Sequence, residues 1–393
     1  MDLIFKPIIQ KCKWRSGIIR LTSKSSENSD NIDCPKTEQN FSLPLCLEYT
    51  KDGLIPHLTW DLLKYIPDKN VPALVSLGSV YNLLPVLRSC DSSFSEFISS
   101  DFNRSIFLTI QDVLVNRRQG FNSPTFTPIW TESGRQNIYP IDLIECVKSL
   151  KPDFYHLLAD GETPKNCSNK RVDKSVENTI KLAENSFGIK DFDWTIKPIF
   201  GVIEGGWNIE KRLTSIEKTK SLPVDGYIVD GLLSTDLLDD SNGLELKLLI
   251  SKICSNLPDD KPRALFGPLK PERVIDVISS GIDIIDSSYC AYLTNNETAL
   301  LVDINCDNIT NITSNLIRLS DDNLKEDFKV IDHDCNCYTC TKGFTRAYLN
   351  HLMKTKELLG PILINLHNLF VYYNFINQIH SYFNSLQQSD SRI

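Results

Sequence analysis

The chain has 393 residues, a formal net charge of −8 and 41% hydrophobic residues, enough apolar material for a sizeable core and room for one large domain or two or three ordinary ones. That acidic balance argues against strong autonomous binding to nucleic acid, whose affinity rests on Lys and Arg neutralising phosphates. No apolar run approaches the roughly 20 residues of a membrane-spanning helix, and the opening MDLIFKPIIQKCKWRSG meets charge too early for a secretory signal, so the chain reads as a globular cytoplasmic protein.

Residues 1–43 form a β-rich opening segment interrupted at 23–42 by a Ser/Asn/Asp-rich stretch with few large apolar residues, which reads as a surface insertion. From 44 to 330, short β-branched runs begin at Pro72, Ser105, Asp153, Lys197, Asp225, Arg263 and Gly281 and have the character of buried parallel strands. Between them, 172–187, 208–219, 233–256 and 271–280 carry the periodicity of crossover helices, so the repeating unit is βα. Seven or eight such units within about 250 residues fit a closed (β/α)₈ TIM barrel, an α/β fold, better than an open sheet. A carboxylate directly follows four of the apolar runs: Asp160, Glu204, Asp230 and Asp286. In a barrel these positions line the C-terminal mouth, which makes them either an active-site floor or caps and turn formers for the next helix. A second polar stretch, 305–322, again reads as a surface insertion.

Residues 331–393 hold the densest chemistry. Cys335, Cys337 and Cys340 stand as Cys-x-Cys-x-x-Cys, and His367 follows on a later apolar run. Three thiolates and an imidazole complete a tetrahedral set for Zn²⁺ with no position left for a bound water, so the expected site is structural. His333 and His351 are alternative fourth ligands, and three metal-free thiols are the other reading. Periodicity after the knuckle predicts a helix ended by Gly360-Pro361, where a second begins. The expectation is a helical hairpin clipped by one zinc ion and packed on the barrel. The remaining nine of the 12 cysteines are scattered singly, without a paired framework, which fits a reducing compartment and favours metal over disulfides at the knuckle.

These segments together resemble the tRNA-guanine transglycosylases, barrel enzymes that exchange guanine for queuine at a tRNA wobble position. The resemblance is carried by the knuckle with Thr345-Arg-Ala-Tyr-Leu-Asn-His-Leu, by Glu357-Leu-Leu-Gly and Leu366-His367-Asn368, and by Gly201-Val-Ile-Glu-Gly-Gly, Asp225-Gly-Tyr-Ile-Val-Asp-Gly and Gly281-Ile-Asp-Ile-Ile-Asp. It runs from about Leu45 to Phe383. The 340–346 segment is one residue longer than the family pattern, and the Leu-His-Asn context places the ligand at His367. Leu47-Glu-Tyr-Thr-Lys-Asp-Gly-Leu-Ile-Pro-His-Leu-Thr, Ala159-Asp160-Gly161-Glu162 and Lys170-Arg-Val-Asp-Lys-Ser-Val-Glu bring the chain closer to the accessory branch of that family than to its catalytic branch.

Catalytic members carry one aspartate in Asp-Ser-Gly-Gly-Phe-Gln. The comparable strand here reads Ser105-Ile-Phe-Leu-Thr-Ile-Gln-Asp-Val, with Asp112 near but without the glycines. The nucleophile motif Asp-Cys-x-x-Pro-Thr-Arg is here Asp286-Ser-Ser-Tyr-Cys-Ala-Tyr, and the base-reading Gly-Gly-Leu-Ala loop is Asp230-Gly231-Leu232-Leu233. Asp286 and Asp160 therefore match family positions as vestigial candidates. The resemblance implies a non-catalytic subunit forming a heterodimer with the catalytic queuine tRNA-ribosyltransferase subunit, engaging tRNAs with GUN anticodons for exchange at position 34. It also implies peripheral association with the mitochondrial outer membrane. Lys342, Arg346, Lys354 and Lys356 are candidate phosphate contacts, the other reading being that several of them simply solvate exposed helix faces. The alternative is a competent homodimeric transglycosylase with Asp286 as nucleophile and Asp112 or Asp160 supplying the proton.

Overall fold

The computed structural model of the chain describes residues 2–9, 14–22, 38–67, 71–89, 93–98, 104–115, 121–161, 163–195, 197–233, 243–304, 309 and 312–390. Most of the first polar stretch, residues 305–308, and Cys12, Cys34, Cys90 and Cys306 lie outside them. An antiparallel sheet opens the chain: β1 (Asp2–Ile9), β2 (Arg15–Thr22) and β3 (Glu38–Leu43), in that order. Then come β4 (Leu45–Tyr49), β5 (Ala73–Ser76), β6 (Ile106–Thr109), the hairpin of β7 (Thr127–Thr131) and β8 (Gly134–Ile138), and β9 (Phe154–His156). The run continues with β10 (Ile199–Ile203), β11 (Gly226–Val229), β12 (Arg263–Ala264) and β13 (Ile284–Asp286). Strands β4, β5, β6 and β9 to β13 close into an eight-stranded barrel. Its neighbours are parallel throughout, and Ile284 of β13 meets Leu45 of β4 at the seam.

All seven expected runs contain a barrel strand; the eighth, β4, was not among them. Its sequence, LCLEY, puts Glu48 inside a fully buried strand. That charge is met by buried Arg104 at 3.0 Å, a pairing across 56 positions that local pattern cannot anticipate. Crossover helices follow the strands at Asn169–Phe187, Ile209–Lys220, Gly243–Cys254 and Pro271–Ser279. Ser168 caps the first by accepting from the Arg171 amide, and Asn208 caps the second through the Glu210 and Lys211 amides. Of the expected helix 233–256, residues 234–242 lie outside the described part.

The barrel interior is filled with aromatic rings. Phe107 packs against Phe154, Phe200 and Phe266 at centroid separations of 5.8, 5.0 and 5.1 Å, joined by Leu47, Leu74, Ile228 and Ile284. Each fully buried Phe contributes roughly 1.5–3 kcal/mol. Gly226 makes the arrangement possible, since a Cβ there would lie 2.4 Å from the Phe200 ring. Ile19, Leu21, Phe41 and Leu43 of the opening sheet complete the same cluster. The sheet therefore plugs the end of the barrel where the strands begin.

Arg15 pins the plug. Only 2% exposed, it holds the Asp283 carboxylate at 2.9 Å and donates to the Asp259 and Lys261 carbonyls at 3.0 and 3.1 Å. Asp283 also accepts from the Arg263 amide; burial nonetheless pushes its carboxyl up to about 6.

The second polar stretch contains a strand, which corrects its reading as a surface insertion: β14 (Thr298–Ile304) pairs antiparallel with β15 (Ile312–Arg318). The exposed residues of β15, Thr313, Asn315, Leu316 and Arg318, fall on both of its faces, so no period-2 alternation sets the segment apart from loop composition. Near the C-terminus, helices span Tyr338–Thr341, Arg346–Thr355 and Leu359–Asp390. The middle helix ends at Lys356, left-handed with φ 56, rather than at Gly360-Pro361, which sit in the first turn of the last helix. Proline is tolerated there because the first-turn amides have no partner within the helix. Among the described residues no helix is long and apolar enough to cross a membrane.

Replacing Arg15 by Met should lower unfolding free energy by about 3–5 kcal/mol in urea titration, since Asp283 is left buried and unpaired. Adding Asp283→Asn should recover a large part of that loss, and equal stability of single mutant and wild type would show that the plug does not depend on the pair.

Candidate metal centre and barrel mouth

Cys337 ends an extended segment and caps the short Tyr338–Thr341 helix, its sulfur accepting from the Cys340 amide at 3.3 Å. The turn thus supplies Cys335, Cys337 and Cys340 from one knuckle. Thr339 donates to the Leu363 carbonyl at 2.7 Å and ties the knuckle to the last helix, bringing His367 opposite the sulfurs. His367 Nδ1 stands 3.8, 3.3 and 3.5 Å from the sulfurs of Cys335, Cys337 and Cys340, and all four donor atoms lie within 4.8 Å of one another. Zn–S and Zn–N bonds of about 2.3 and 2.05 Å at a tetrahedral angle require an S···N separation of about 3.6 Å, so the imidazole-to-sulfur distances match that ion. His333 and His351 are not part of the cluster: both are exposed, and His351 stacks near Tyr348. His367 Nε2–H donates to the Leu300 carbonyl at 2.8 Å, leaving the Nδ1 lone pair for a metal. The four side chains can hold one metal ion.

The mouth of the barrel is arranged differently. Asp160 is fully buried, and Arg171 grips both of its oxygens, one at 3.0 Å. Asn178 adds a bond at 2.8 Å. Arg171, Ser175, Asn178 and Thr179, from the Asn169–Phe187 helix, all bond some atom of Asp160, so this carboxylate anchors the helix that follows it. Glu204 is fully buried, its amide donating to Ser215 Oγ at 3.1 Å. Asp230 is partly exposed and lends its carbonyl to Arg212, which is buried and also holds the carbonyls of Ile203 and Gly206. Arg212 therefore ties the ends of β10 and β11 together.

Asp286, also fully buried, accepts from the Gly267 amide at 2.6 Å and the Ser288 amide at 2.7 Å, one on each oxygen. Burial pushes its carboxyl up to about 6, with Asp112 adding to the rise. Asp112 in turn accepts the Tyr49 hydroxyl at 3.0 and 3.1 Å and the Leu114 amide at 2.9 Å. Burial raises Asp112 as well, and desolvation with the adjacent carboxylates raises the Tyr49 phenol. The structure thus brings Asp112 and Asp286 into electrostatic contact with Tyr49 beside them, and keeps Asp160 in its own clasp. Sequence reasoning did not single out Tyr49, Arg171, Asn178 or Arg212. Arg171 and Asn178 carry a faint signal, lying at the start and one face of a helix that follows a strand-end acid; Tyr49 has none.

Among the candidate phosphate contacts, Arg346 is held by Asp327 at 3.1 Å and by the Ile331 carbonyl, and Lys354 by Asp322 at 3.1 Å. Both are engaged within the chain, while Lys342 and Lys356 are exposed.

Comparison with known proteins agrees with this architecture. A family model described as queuine tRNA-ribosyltransferase matches residues 31–385. A protein of Ixodes scapularis named queuine tRNA-ribosyltransferase accessory subunit 2 is 31% identical over 359 residues, covering 88% of this chain and 90% of its own length. The human protein of that name is 30% identical over 414 residues, covering 96% and 95%, and that of Aedes aegypti 29% over 381 residues, covering 94% and 86%. With the barrel, the four-ligand cluster and the match along most of its length, the chain belongs to the queuine tRNA-ribosyltransferase family.

Proposed function

We propose that this chain is the accessory, non-catalytic subunit of a queuine tRNA-ribosyltransferase: it pairs with a catalytic subunit and helps position tRNA while the partner exchanges guanine for queuine. The observation that carries the reading is the state of the strand-end acids. Base exchange at a ribose needs one carboxylate able to reach C1′ and a second group able to move a proton at the base. Here Asp160 is neutralised by a bidentate arginine, the form of ion pair hardest to displace, Asp286 has a main-chain amide on each oxygen, and Asp112 holds Tyr49. The relatives' shared name, accessory subunit 2, supports the same assignment.

A surface suited to the partner lies beside the metal centre. Tyr65 packs tilted against Tyr338 at 4.4 Å, and Tyr338, Phe344, Tyr348 and His351 follow in ring contacts of 6.1–6.5 Å. Phe328 at one end of the Arg346–Thr355 helix is 77% exposed, Leu358 at the other end 80%, and Tyr348 between them 42%. Exposed aromatic and leucine side chains on and beside the helix next to the metal cluster have the composition of an interface core. The occupant we assign to it is the catalytic subunit. Zinc in the Cys335, Cys337, Cys340 and His367 site would supply folding free energy to this surface, with no open coordination position for reaction chemistry.

Three outcomes are expected. The purified chain should not incorporate labelled guanine into tRNA, the mixture with a catalytic subunit should, and Asp286→Ala in this chain should leave the mixture's rate unchanged; turnover by the isolated chain that vanishes with Asp286→Ala would establish the competent homodimer instead. Cys337→Ser should lower bound zinc well below one ion per chain by atomic absorption and weaken subunit pairing. Tyr348→Ala combined with Leu358→Glu should weaken pairing at least tenfold in analytical ultracentrifugation, because truncating an interface anchor costs about 2 kcal/mol or more. Zinc content should stay at the wild-type level in that double mutant.

A further inference from the structure

His367 is flanked on its helix by two buried asparagines that hold different things. Asn365, 1% exposed, donates to the Pro56 carbonyl at 2.6 Å and accepts from the Thr294 hydroxyl at 3.3 Å. Asn368 is fully buried; its Oδ1 accepts from the Leu300 amide at 2.8 Å, and its Nδ2 donates to the Thr298 carbonyl at 3.0 Å and to Thr294 Oγ1 at 3.2 Å. Its own carbonyl accepts the Cys290 thiol at 3.5 Å. The amide side chain has one acceptor and two donor hydrogens, and all are in use.

What Asn368 holds is the free edge of β14. Leu300 faces Leu316 across the hairpin, and its amide and carbonyl both turn away from β15 toward the helix. A strand edge presents such groups at every second residue, which is why Thr298 and Leu300 are the two that are met. The Leu300 peptide groups are divided between neighbouring side chains: Asn368 takes the N–H and His367 Nε2–H takes the carbonyl. The carbonyl therefore has a fixed direction only while the strand is fixed, and that direction decides which imidazole nitrogen carries the proton. If the Leu300 carbonyl swings away, the imidazole can protonate Nδ1 instead, and the lone pair facing the three sulfurs is lost.

We propose that Asn368 is a positioning residue of the metal centre: by clamping the edge of β14 it sets the tautomer and ring orientation of His367 and thereby the affinity of the Cys335, Cys337, Cys340 and His367 site. The proposal rests on the four-ligand reading of that site. Groups that orient a metal-ligating imidazole typically change metal affinity about 10–100-fold when removed, and Asn368 acts one step further out.

The test compares Asn368→Ala with Asn365→Ala in the full-length chain. The two asparagines share the helix, the burial and the loss of buried hydrogen bonds, but only Asn368 touches Leu300. Zinc affinity, read by competition with a chromophoric chelator, should fall at least tenfold in Asn368→Ala and stay at the wild-type value in Asn365→Ala. The visible absorption bands of the Co²⁺-substituted protein should shift or weaken in the first and not in the second. Wild-type zinc affinity and Co²⁺ spectrum in Asn368→Ala would overturn the proposal, as would an equal loss in both variants, which would mark the two residues as general packing. If Asn368→Ala does not fold, Asn368→Ser is judged by the same two readouts. Failure of the wild-type chain to bind zinc or Co²⁺ would instead reject the four-ligand reading itself, and is distinguishable because no variant is needed to see it.

Discussion

The last helix, Leu359–Asp390, has to find a partner for polar groups on one side and apolar groups on nearly every other, and the molecule is organised around that requirement. At 32 residues it is about 48 Å long, enough to run from the metal knuckle to the plugged end of the barrel. Thr339 fastens the knuckle to its first turns, and Asn365 reaches the loop after β4. Tyr372 donates to the Leu269 carbonyl beyond β12, His380 contacts the Pro44 carbonyl between plug and barrel, and Phe383 packs edge-on against Trp14 at 5.0 Å. A helix polar on one face only could be docked in several registers. Fixed bonds at both ends leave one.

Against that spine, the fate of the acids at the barrel mouth has a simple physical explanation. A buried carboxylate must be protonated, paired or hydrogen-bonded. Asp160 is paired through Arg171, Asp286 is bonded to two amides while burial pushes its carboxyl up to about 6, and Asp112 is bonded to Tyr49. In each case the partners of the buried carboxylate are groups of the fold itself. The same positions in a barrel serve either chemistry or architecture, and here their neighbours are an arginine of the following helix for Asp160 and the Tyr49 hydroxyl for Asp112.

The barrel was legible because its strands are buried on both faces and so appear as continuous apolar runs separated by helical periodicity. The metal cluster was legible because tetrahedral sulfur ligation forces close spacing along the chain. Two features were hidden for opposite reasons. In β4, Glu48 breaks the apolar run and finds Arg104 only in three dimensions. In β15, the exposed Thr313, Asn315 and Arg318 look like loop composition, and only pairing with β14 shows the strand. The stop of the Arg346–Thr355 helix was misplaced because Gly-Pro is a strong local signal, whereas a left-handed Lys356 followed by a new helix is a choice made by packing. The consequences of Arg171 and Tyr49 could not be read at all, since both depend on which side chain reaches which carboxylate.

The distribution of charge around the metal centre bears on what this surface can hold. Phosphate contacts bring affinity only when a cation is available to replace condensed counterions. Around the metal centre, Arg346 is paired with Asp327, Lys354 shares Asp322 with Lys325, and the whole chain carries eight more negative than positive groups. With Lys342 and Lys356 the exposed cations left from that group, this surface is poorly placed to hold a polyanion by itself. The exposed rings of Phe328 and Tyr348 and the side chain of Leu358 favour a protein partner over a phosphate backbone. Electrostatics and apolar exposure therefore agree that this surface suits a protein partner better than a polyanion.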